Sequence, residues 1–409
     1  GYKSIVREQS IDIRPLTILA GANGSGKSSM MQPLLLLKQT LEAEWNPGPL
    51  RLDGPHVEFS SVAQFLPPRG GAGLEIGVGL SSGESVTNTL RRTSGGSLKI
   101  VRTRYSLGER QFSFWDGMSR QEIIQQVPEI KAPAGSRRLI AYARRGFLAV
   151  GTVHNGGAST EYLPGLLVKT RLLTASVEAV LHLRGIRGAT RRQWPLAPVG
   201  VRPSGLFEEY VAGILAEWEA NNQRAIRDLG EDLSLLGLAS RIETRPVTES
   251  VVEIRVSRST RSDNHGEMVN VADVGTGLQQ VVPLLVALRF AQPGQLVYIE
   301  QPELHLHPLA QCRMADLLAA AAKRGVRVVA ETLSGLLLRG IQTLAAQGRL
   351  PPALVALHWF ERDRNGVTAV RPGHLGPRGA FGDWPVDFGD VELEAESAYL
   401  DAVGIRHGH

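Results

Sequence analysis

An α/β fold, with a parallel-sheet core interrupted by a long insertion of antiparallel strands and helix, is predicted by three observations. Ile11, Ile13, Leu16, Ile18 and Leu19 form an apolar run that stops at Gly21, and from Ser29 onward Met30, Met31, Leu34, Leu35, Leu37 and Leu41 recur at helical spacing. The middle of the chain changes to short alternating segments divided by Gly-rich and polar breaks, the pattern of antiparallel sheet. After Asn270, helical patterns again alternate with short buried runs.

Taken in order, the first run reads as a strand entering a glycine loop, followed by a helix in which Pro33 lies within the early turns, where it is better tolerated. The alternating segments are Leu74 to Leu80, Leu98 to Tyr105, Phe112 to Phe114, Leu139 to Val150 and Val252 to Val256. Among them Phe207, Tyr210, Val211, Ile214, Leu215 and Trp218 step by three and four, which predicts one amphipathic helix from about Leu206 to Arg227 with its stripe in the core. The final part reads as helix (Gly275 to Phe290), strand (Leu296 to Ile299), helix (Pro308 to Lys323), strand (Val326 to Ala330) and helix (Ser334 to Ala346). Four segments follow: 1–60 with the glycine loop, an inserted β-rich and helical lobe at 61–265, the second part of the core at 266–375, and a tail element at 376–409.

Composition narrows the class. A chain of 409 residues, 43% hydrophobic and 21% charged, can bury one large core or two joined lobes. Apolar runs such as Val281 to Leu288 fall far short of the roughly 20 residues that cross a bilayer. No basic-then-apolar leader follows Gly1, although a trimmed start would hide one, and the single cysteine, Cys312, fits a reducing cytoplasm. The net charge of +5 comes mostly from arginine, clustered at Arg91-Arg92, Arg137-Arg138, Arg144-Arg145 and Arg184 to Arg192, without the interleaved aromatics of a nucleic-acid surface. Arg184, Arg187, Arg191 and Arg192 read more readily as a solvated loop than as a phosphate path.

The run Gly21-Ala22-Asn23-Gly24-Ser25-Gly26-Lys27-Ser28 followed by Ser29 matches G-x-x-x-x-G-K-[ST] between a strand and a helix. In that setting the glycines let backbone N–H groups point at phosphate oxygens, and the helix adds its positive end. Lys27 would then pair with β and γ phosphates and Ser28 would ligate Mg²⁺, so ATP with Mg²⁺ is the expected ligand. Far downstream, the buried strand Leu296 to Ile299 ends in Glu300-Gln301-Pro302-Glu303, and Glu300 is the candidate second anchor of the metal. His305 and His307 lack a third ligand at zinc spacing. Gly275-Thr276-Gly277-Leu278-Gln279 is a glycine turn opening a helix, and Glu331-Thr332-Leu333-Ser334 ends a strand where phosphates would lie.

These elements in this order resemble the ABC-type ATPase heads of the SMC, RecF and OLD group, often described as AAA family ATPases. Lys3-Ser4, E-Q-P-E-L-H-L-H-P and E-T-x-S carry the likeness. The segments L-R-G-I-R-G-A-T-R-R-Q-W-P and G-D-W-P-V-D-F look like its stand-alone bacterial subgroup. The resemblance implies a P-loop NTPase of ABC/SMC-head type with a mixed sheet core. It also implies a homodimer or larger homo-oligomer in which Gly275, Thr276, Gly277 and Gln279 complete the partner's phosphate site. Lys3 or Ser4 would approach the adenine by family position, a frayed end being the alternative.

Two departures weaken catalysis. Where many relatives carry a catalytic Glu this chain has Gln301, whose amide can orient water but cannot take its proton, so Glu303 or a water relay would have to substitute. The histidine of E-T-H-S is Leu333, which cannot hydrogen-bond a phosphate; one such contact contributes on the order of 3 kcal/mol. The TOPRIM nuclease that OLD enzymes carry after their ATPase is not expected here. The expected function is a slow ATP hydrolase acting as a nucleotide-dependent switch, with a separate effector protein, in genome or anti-phage defence, and with DNA as a candidate partner. A non-hydrolysing scaffold and a RecF/SMC-like repair ATPase are the alternatives; a transporter ATPase fits least.

Overall fold

The computed structural model describes residues 1–66, 73–128, 138–153, 159–161, 172–187, 191–197, 200, 203–259, 266–382 and 397–403. Of the segments named above, Arg137 and most of G-D-W-P-V-D-F lie outside the described residues, as do positions 188–190.

The described strands, in chain order, are β1 (Leu16–Gly21), β2 (Gly73–Gly79), β3 (Ser85–Arg92), β4 (Leu98–Leu107), β5 (Arg110–Trp115), β6 (Arg138–Arg144), β7 (Phe147–Val153), β8 (Ser159–Glu161), β9 (Leu181–Leu183), β10 (Trp194–Pro195), β11 (Ile242–Thr248), β12 (Val251–Ser257), β13 (Met268–Asn270), β14 (Leu296–Glu300), β15 (Arg327–Thr332), β16 (Val355–Arg362) and β17 (Thr368–Gly373). The helices used below are α1 (Lys27–Leu41), α2 (Arg120–Gln126), α3 (Val211–Asn221), α4 (Gln223–Leu235), α5 (Thr276–Phe290), α6 (Pro308–Lys323) and α7 (Gly335–Ala346).

The core is a mixed sheet in the order β17-β16-β1-β15-β14-β9, parallel except for β17 against β16. Every residue of β1 is buried, as a parallel strand covered on both faces requires. Leu16, Ile18 and Ala20 face the cluster that contains α5, α6 and α7, while Leu19 joins Tyr298, Val329 and Phe360 on the other side, against α1 and the antiparallel strands. The fold class is therefore α/β with a mixed sheet, and the strands between α1 and α5, β9 apart, form separate sheets, β2-β3-β4-β5, β6-β7-β8, and β10-β12-β11 with β13 beside β12.

Several details differ from the pattern reading. The helix expected from Leu206 to Arg227 is three pieces: a 3-10 turn at Phe207–Tyr210, then α3, then α4. Asn222 breaks it by taking φ −146° and ψ 63° and accepting a hydrogen bond from the Ala225 N–H, an N-cap that starts α4 afresh. The stripe is in the core as expected, with Phe207, Val211, Ile214 and Leu215 all buried. Leu139 to Val150 is a hairpin, β6 to β7, turning at Arg145 and Gly146, both at positive φ. Three core strands, β9, β16 and β17, are not anticipated by the patterns. α1 runs without a break through Pro33.

Among the described residues no helix is long and apolar enough to cross a membrane.

Candidate functional site

β1 delivers the chain to the glycine loop at the C-terminal end of the parallel strands, where ligands bind open α/β sheets. Gly21, Gly24 and Gly26 take φ values of 146°, 73° and 109°, which L side chains rarely adopt. At Gly26 a Cβ would also sit 2.5 Å from Thr368 Oγ1. Thr368 occupies that space because its hydroxyl donates to the Ser25 carbonyl at 2.7 Å and lies 2.8 Å from Ser4 Oγ. Ala22, Asn23 and Gly24 are exposed at the loop tip, and Ser29 continues α1.

Lys27 is buried and donates to the Gly21 and Ala22 carbonyls at 2.8 and 2.9 Å. Burial lowers the pKa of its ammonium, against the opposing charges of Glu331 and Glu303. Ser28 Oγ donates to Glu331 Oε1 at 2.8 Å, and the Tyr298 hydroxyl donates to Glu331 Oε2 at 2.9 Å. The carboxylate beside Ser28 is thus Glu331, on β15, while Glu300 stands in register with it one strand further out.

The two acids are driven apart. Burial raises the Glu331 pKa, with the hydrogen bonds from Ser28 and Tyr298 offsetting only part of the shift. For Glu300, burial acts the same way but is outweighed by the His182 hydrogen bond, the Gly185 N–H at 3.0 Å and the charge of Arg187, so its pKa is lowered. Glu300 is therefore the acid of the pair whose charged form its surroundings favour. A hydroxyl and carboxylates are hard oxygen donors that fit Mg²⁺, which takes one or two carboxylates and completes its shell with phosphates and water. Among the described residues no group of three His, Cys, Asp or Glu side chains could hold a metal alone.

Gln301 has φ 47°, and its N–H donates to the Glu331 carbonyl at 2.8 Å, which fixes it at the same end of the sheet. Glu303 turns back: Oε1 accepts from Thr332 Oγ1 at 2.7 Å and from the Leu333 N–H at 2.9 Å, while Oε2 is buried without a hydrogen bond. Leu333 is half-buried, and Ser334 caps α7 through the Leu337 N–H. Gly275 and Thr276 are exposed at the start of α5, Gly277 lies against the His305 carbonyl, and Gln279 Nε2 donates to the Val274 carbonyl at 3.1 Å. His305 is exposed, and His307 caps α6.

The arginine cluster divides. Arg192 pairs with Asp273 and Arg191 lies over the Trp194 ring, both near the surface. Arg187 is 3% exposed and not solvated. Its N–H donates to Gln280 Oε1 at 2.6 Å, and its guanidinium donates to the carbonyls of Gln280 at 3.1 Å, Glu300 at 2.5 Å and Gln301 at 3.2 Å. Burial pushes its pKa down to about 10, opposed by Glu208, Glu303 and Glu300, so it remains charged at neutral pH. Arg187 ties the start of α5 to the end of β14. Arg187→Ala leaves those carbonyls unpaired, and urea unfolding is expected to show a loss of about 3 kcal/mol; a loss below about 1 kcal/mol would show that the latch contributes little to the fold.

Lys3 and Ser4 are tied down by local contacts. Tyr2 is buried and bridges to Ile5, and the Lys3 N–H donates to the Phe65 carbonyl at 2.8 Å. Lys3, Ser4, Gln64, Phe65, Arg362 and Gly366 line an open cleft of about 370 Å³, joined to the glycine loop through the Ser4 and Thr368 hydroxyls.

Fold and glycine loop together define an α/β protein with the strand, glycine loop and helix of a P-loop. More particularly, residues 186–338 match the family model described as "AAA domain, putative AbiEii toxin, Type IV TA system", a span that takes in Gly275, Glu300 and Glu331 but not the glycine loop. No curated protein matches the chain. Among solved structures it is similar to an SMC head bound to the C-winged helix domain of ScpA, at 14% identity over 92% of this chain and 95% of that one, with a TM-score of 0.48. A second is the SMC head domain from Thermotoga maritima, at 14% identity over 91% and 95%, TM-score 0.35. A third is the Smc head domain with an extended coiled coil from Pyrococcus furiosus, bound to the C-terminal domain of ScpA, at 11% identity over 98% and 97%, TM-score 0.43.

Proposed function

We propose that this protein binds ATP with Mg²⁺, hydrolyses it slowly, and works as a nucleotide-dependent dimerisation switch. The observation that carries this reading is a well-formed phosphate cradle beside two weakened catalytic positions. Gly21 to Ser28, with Lys27 buried, meet the acid pair through Ser28 and Glu331, whereas Gln301 and Leu333 replace the base and the phosphate donor that the resemblance would lead one to expect. Arriving phosphates would exchange with the Gly21 and Ala22 carbonyls for the Lys27 ammonium, Ser28 and Glu300 would hold Mg²⁺, and the base would lie toward Lys3 and Ser4. Bound Mg²⁺ would neutralise charge on the phosphates; the chain's own residues orient them and exclude water.

In the same reading the exposed turn at Gly275, Thr276, Gly277 and Gln279 completes the nucleotide site of a second copy. The two glycines separate this from an internal role. A Cβ on Gly277 would lie 2.6 Å from the His305 carbonyl, so substitution there disturbs the monomer, but a Cβ on Gly275 meets nothing within 4 Å. Gly275→Asp is therefore expected to keep wild-type thermal stability and nucleotide binding while losing the doubling of molar mass that Mg-ATP induces, measured by light scattering. A variant that still doubles in mass would remove the turn from the interface; a wild-type protein that turns ATP over rapidly with no change in mass would remove the switch.

The family description names a toxin of a type IV toxin–antitoxin system. It supports placing the switch in bacterial defence, and the same reading adds, as proposals of its own, a cytoplasmic location, a separate effector and DNA as a further partner. The second reading, a scaffold that binds nucleotide without hydrolysis, is favoured by Gln301 and Leu333 together. Phosphate release that Glu300→Gln abolishes would rule the scaffold out.

A further inference from the structure

The buried ionisable side chains do not end at the sheet. Five side chains, of which Lys38, His56 and His182 are buried and Glu42 and Glu300 partly so, come from four separate stretches of chain and form one polar file leading from Glu300 to the C-terminal half of α1. His182 Nε2 is 3.2 Å from Glu300 Oε1, His182 Nδ1 is 3.2 Å from His56 Nδ1, His56 Nε2 is 3.4 Å from Glu42 Oε2, and Lys38 Nζ donates to Glu42 Oε1 at 2.6 Å. Lys38 and His182 are each 1% exposed and His56 7%. Each is fixed by its own element. The His182 ring stacks on Tyr298 with centroids 5.1 Å apart and planes 9° from parallel, and Gln39 pins the stretch around His56 through the Arg51 and Val57 carbonyls and the Val57 N–H. Lys38 donates to the Glu178 carbonyl, and the Gly205 N–H donates to Glu42. A buried file of charges is costly, and an apolar filling would support the fold as well.

Two neutral imidazoles carry two N–H groups, and there are three gaps to fill: Glu300 to His182, His182 to His56, and His56 to Glu42. Lys38 and Gly205 donate to Glu42 Oε1, and Glu42 Oε2 faces His56 Nε2. With His182 Nε2–H donating to Glu300, His56 Nδ1–H donates to the bare Nδ1 of His182; the reverse pair of tautomers turns both N–H groups toward Glu42 and leaves Glu300 without one. Burial lowers the His56 pKa, which agrees with a neutral ring.

We propose that His182, with its ring held against Tyr298 and its Nδ1 facing His56, is the positioning residue for Glu300: it holds Oε1 so that the carboxylate is presented to the Mg²⁺ of the nucleotide. This rests on Glu300 being the metal-binding acid. Partners that hold a ligating group in place commonly alter metal affinity by about 10–100-fold when removed.

The test uses the full chain and a fluorescent ATP analogue, reading the Mg²⁺ concentration that gives half-maximal nucleotide binding. A glutamine at 182 places a donor where Nε2 stands, whereas an asparagine reaches only the position of Nδ1. His182→Gln is expected to stay close to wild type, and His182→Asn to need about tenfold more Mg²⁺. If Glu300→Gln raises the requirement but His182→Asn does not, the inference fails and the metal reading stands. If Glu300→Gln itself changes nothing, the reading of Glu300 fails and the inference with it. Should His182→Asn not fold, ¹⁵N imidazole spectra of the wild-type protein decide: His182 protonated at Nε2 and His56 at Nδ1 support the proposal, and the reverse pair of tautomers overturns it.

Discussion

Lys27→Ala is expected to lower affinity for Mg-ATP by about 100-fold or more while leaving the fold intact, since each charge-assisted hydrogen bond to phosphate contributes about 1.5–3 kcal/mol. The two halves of this expectation come from the same geometry. Among the described residues the buried ammonium has only the Gly21 and Ala22 carbonyls as hydrogen-bond partners, and burial lowers its pKa. Such a charge gains little by being inside the unliganded protein, so its removal should not lower the urea midpoint appreciably. Titration with a fluorescent nucleotide alongside urea unfolding measures both. An affinity within a few-fold of wild type would exclude the loop as a phosphate site, and a collapse of the fold would make Lys27 a structural residue instead.

Gln301→Glu is expected to speed phosphate release by about 100-fold with little change in KM, because a correctly placed general base contributes about 10²–10⁴-fold. The change is nearly isosteric, and its backbone setting is fixed by the bond from the Gln301 N–H to the Glu331 carbonyl, so the new carboxylate starts from the same place. The lower end of the range is expected because Leu333 still offers no hydrogen bond to phosphate. Steady-state phosphate release from wild type and variant decides it. An unchanged kcat would mean that residue 301 does not face the attacking water.

The parts of the site that are legible in sequence are those made by local chemistry. The glycine loop depends on residues within a single turn of chain, where positive φ demands glycine, so Gly21 and Gly26 can be read by spacing alone. β14 and β15 show as short apolar runs ending in acids because both faces of a parallel sheet are covered. What escapes is pairing at a distance. Arg187, in a loop rich in arginine and glycine, has the local character of solvated chain, and only carbonyls converging from α5 and β14 make its burial tolerable. His182 sits in a three-residue edge strand too short to show alternation, and its partner His56 is 126 residues away. The Asn222 break did have a signal, an N-cap residue in mid-pattern, overridden by the apolar stripe on either side.

Sequence by itself determined the α/β class, the glycine loop with Lys27 and Ser28, and the acids that end the neighbouring strands, because each rests on contacts between near neighbours or on the period of burial. Only the tertiary structure decided that Ser28 meets Glu331 and not Glu300, that Glu303 folds back onto Thr332 and Leu333, and that Glu300 lies against His182. The register of parallel strands and the dielectric of a closed core set those choices, and neither is a property of any one stretch of chain.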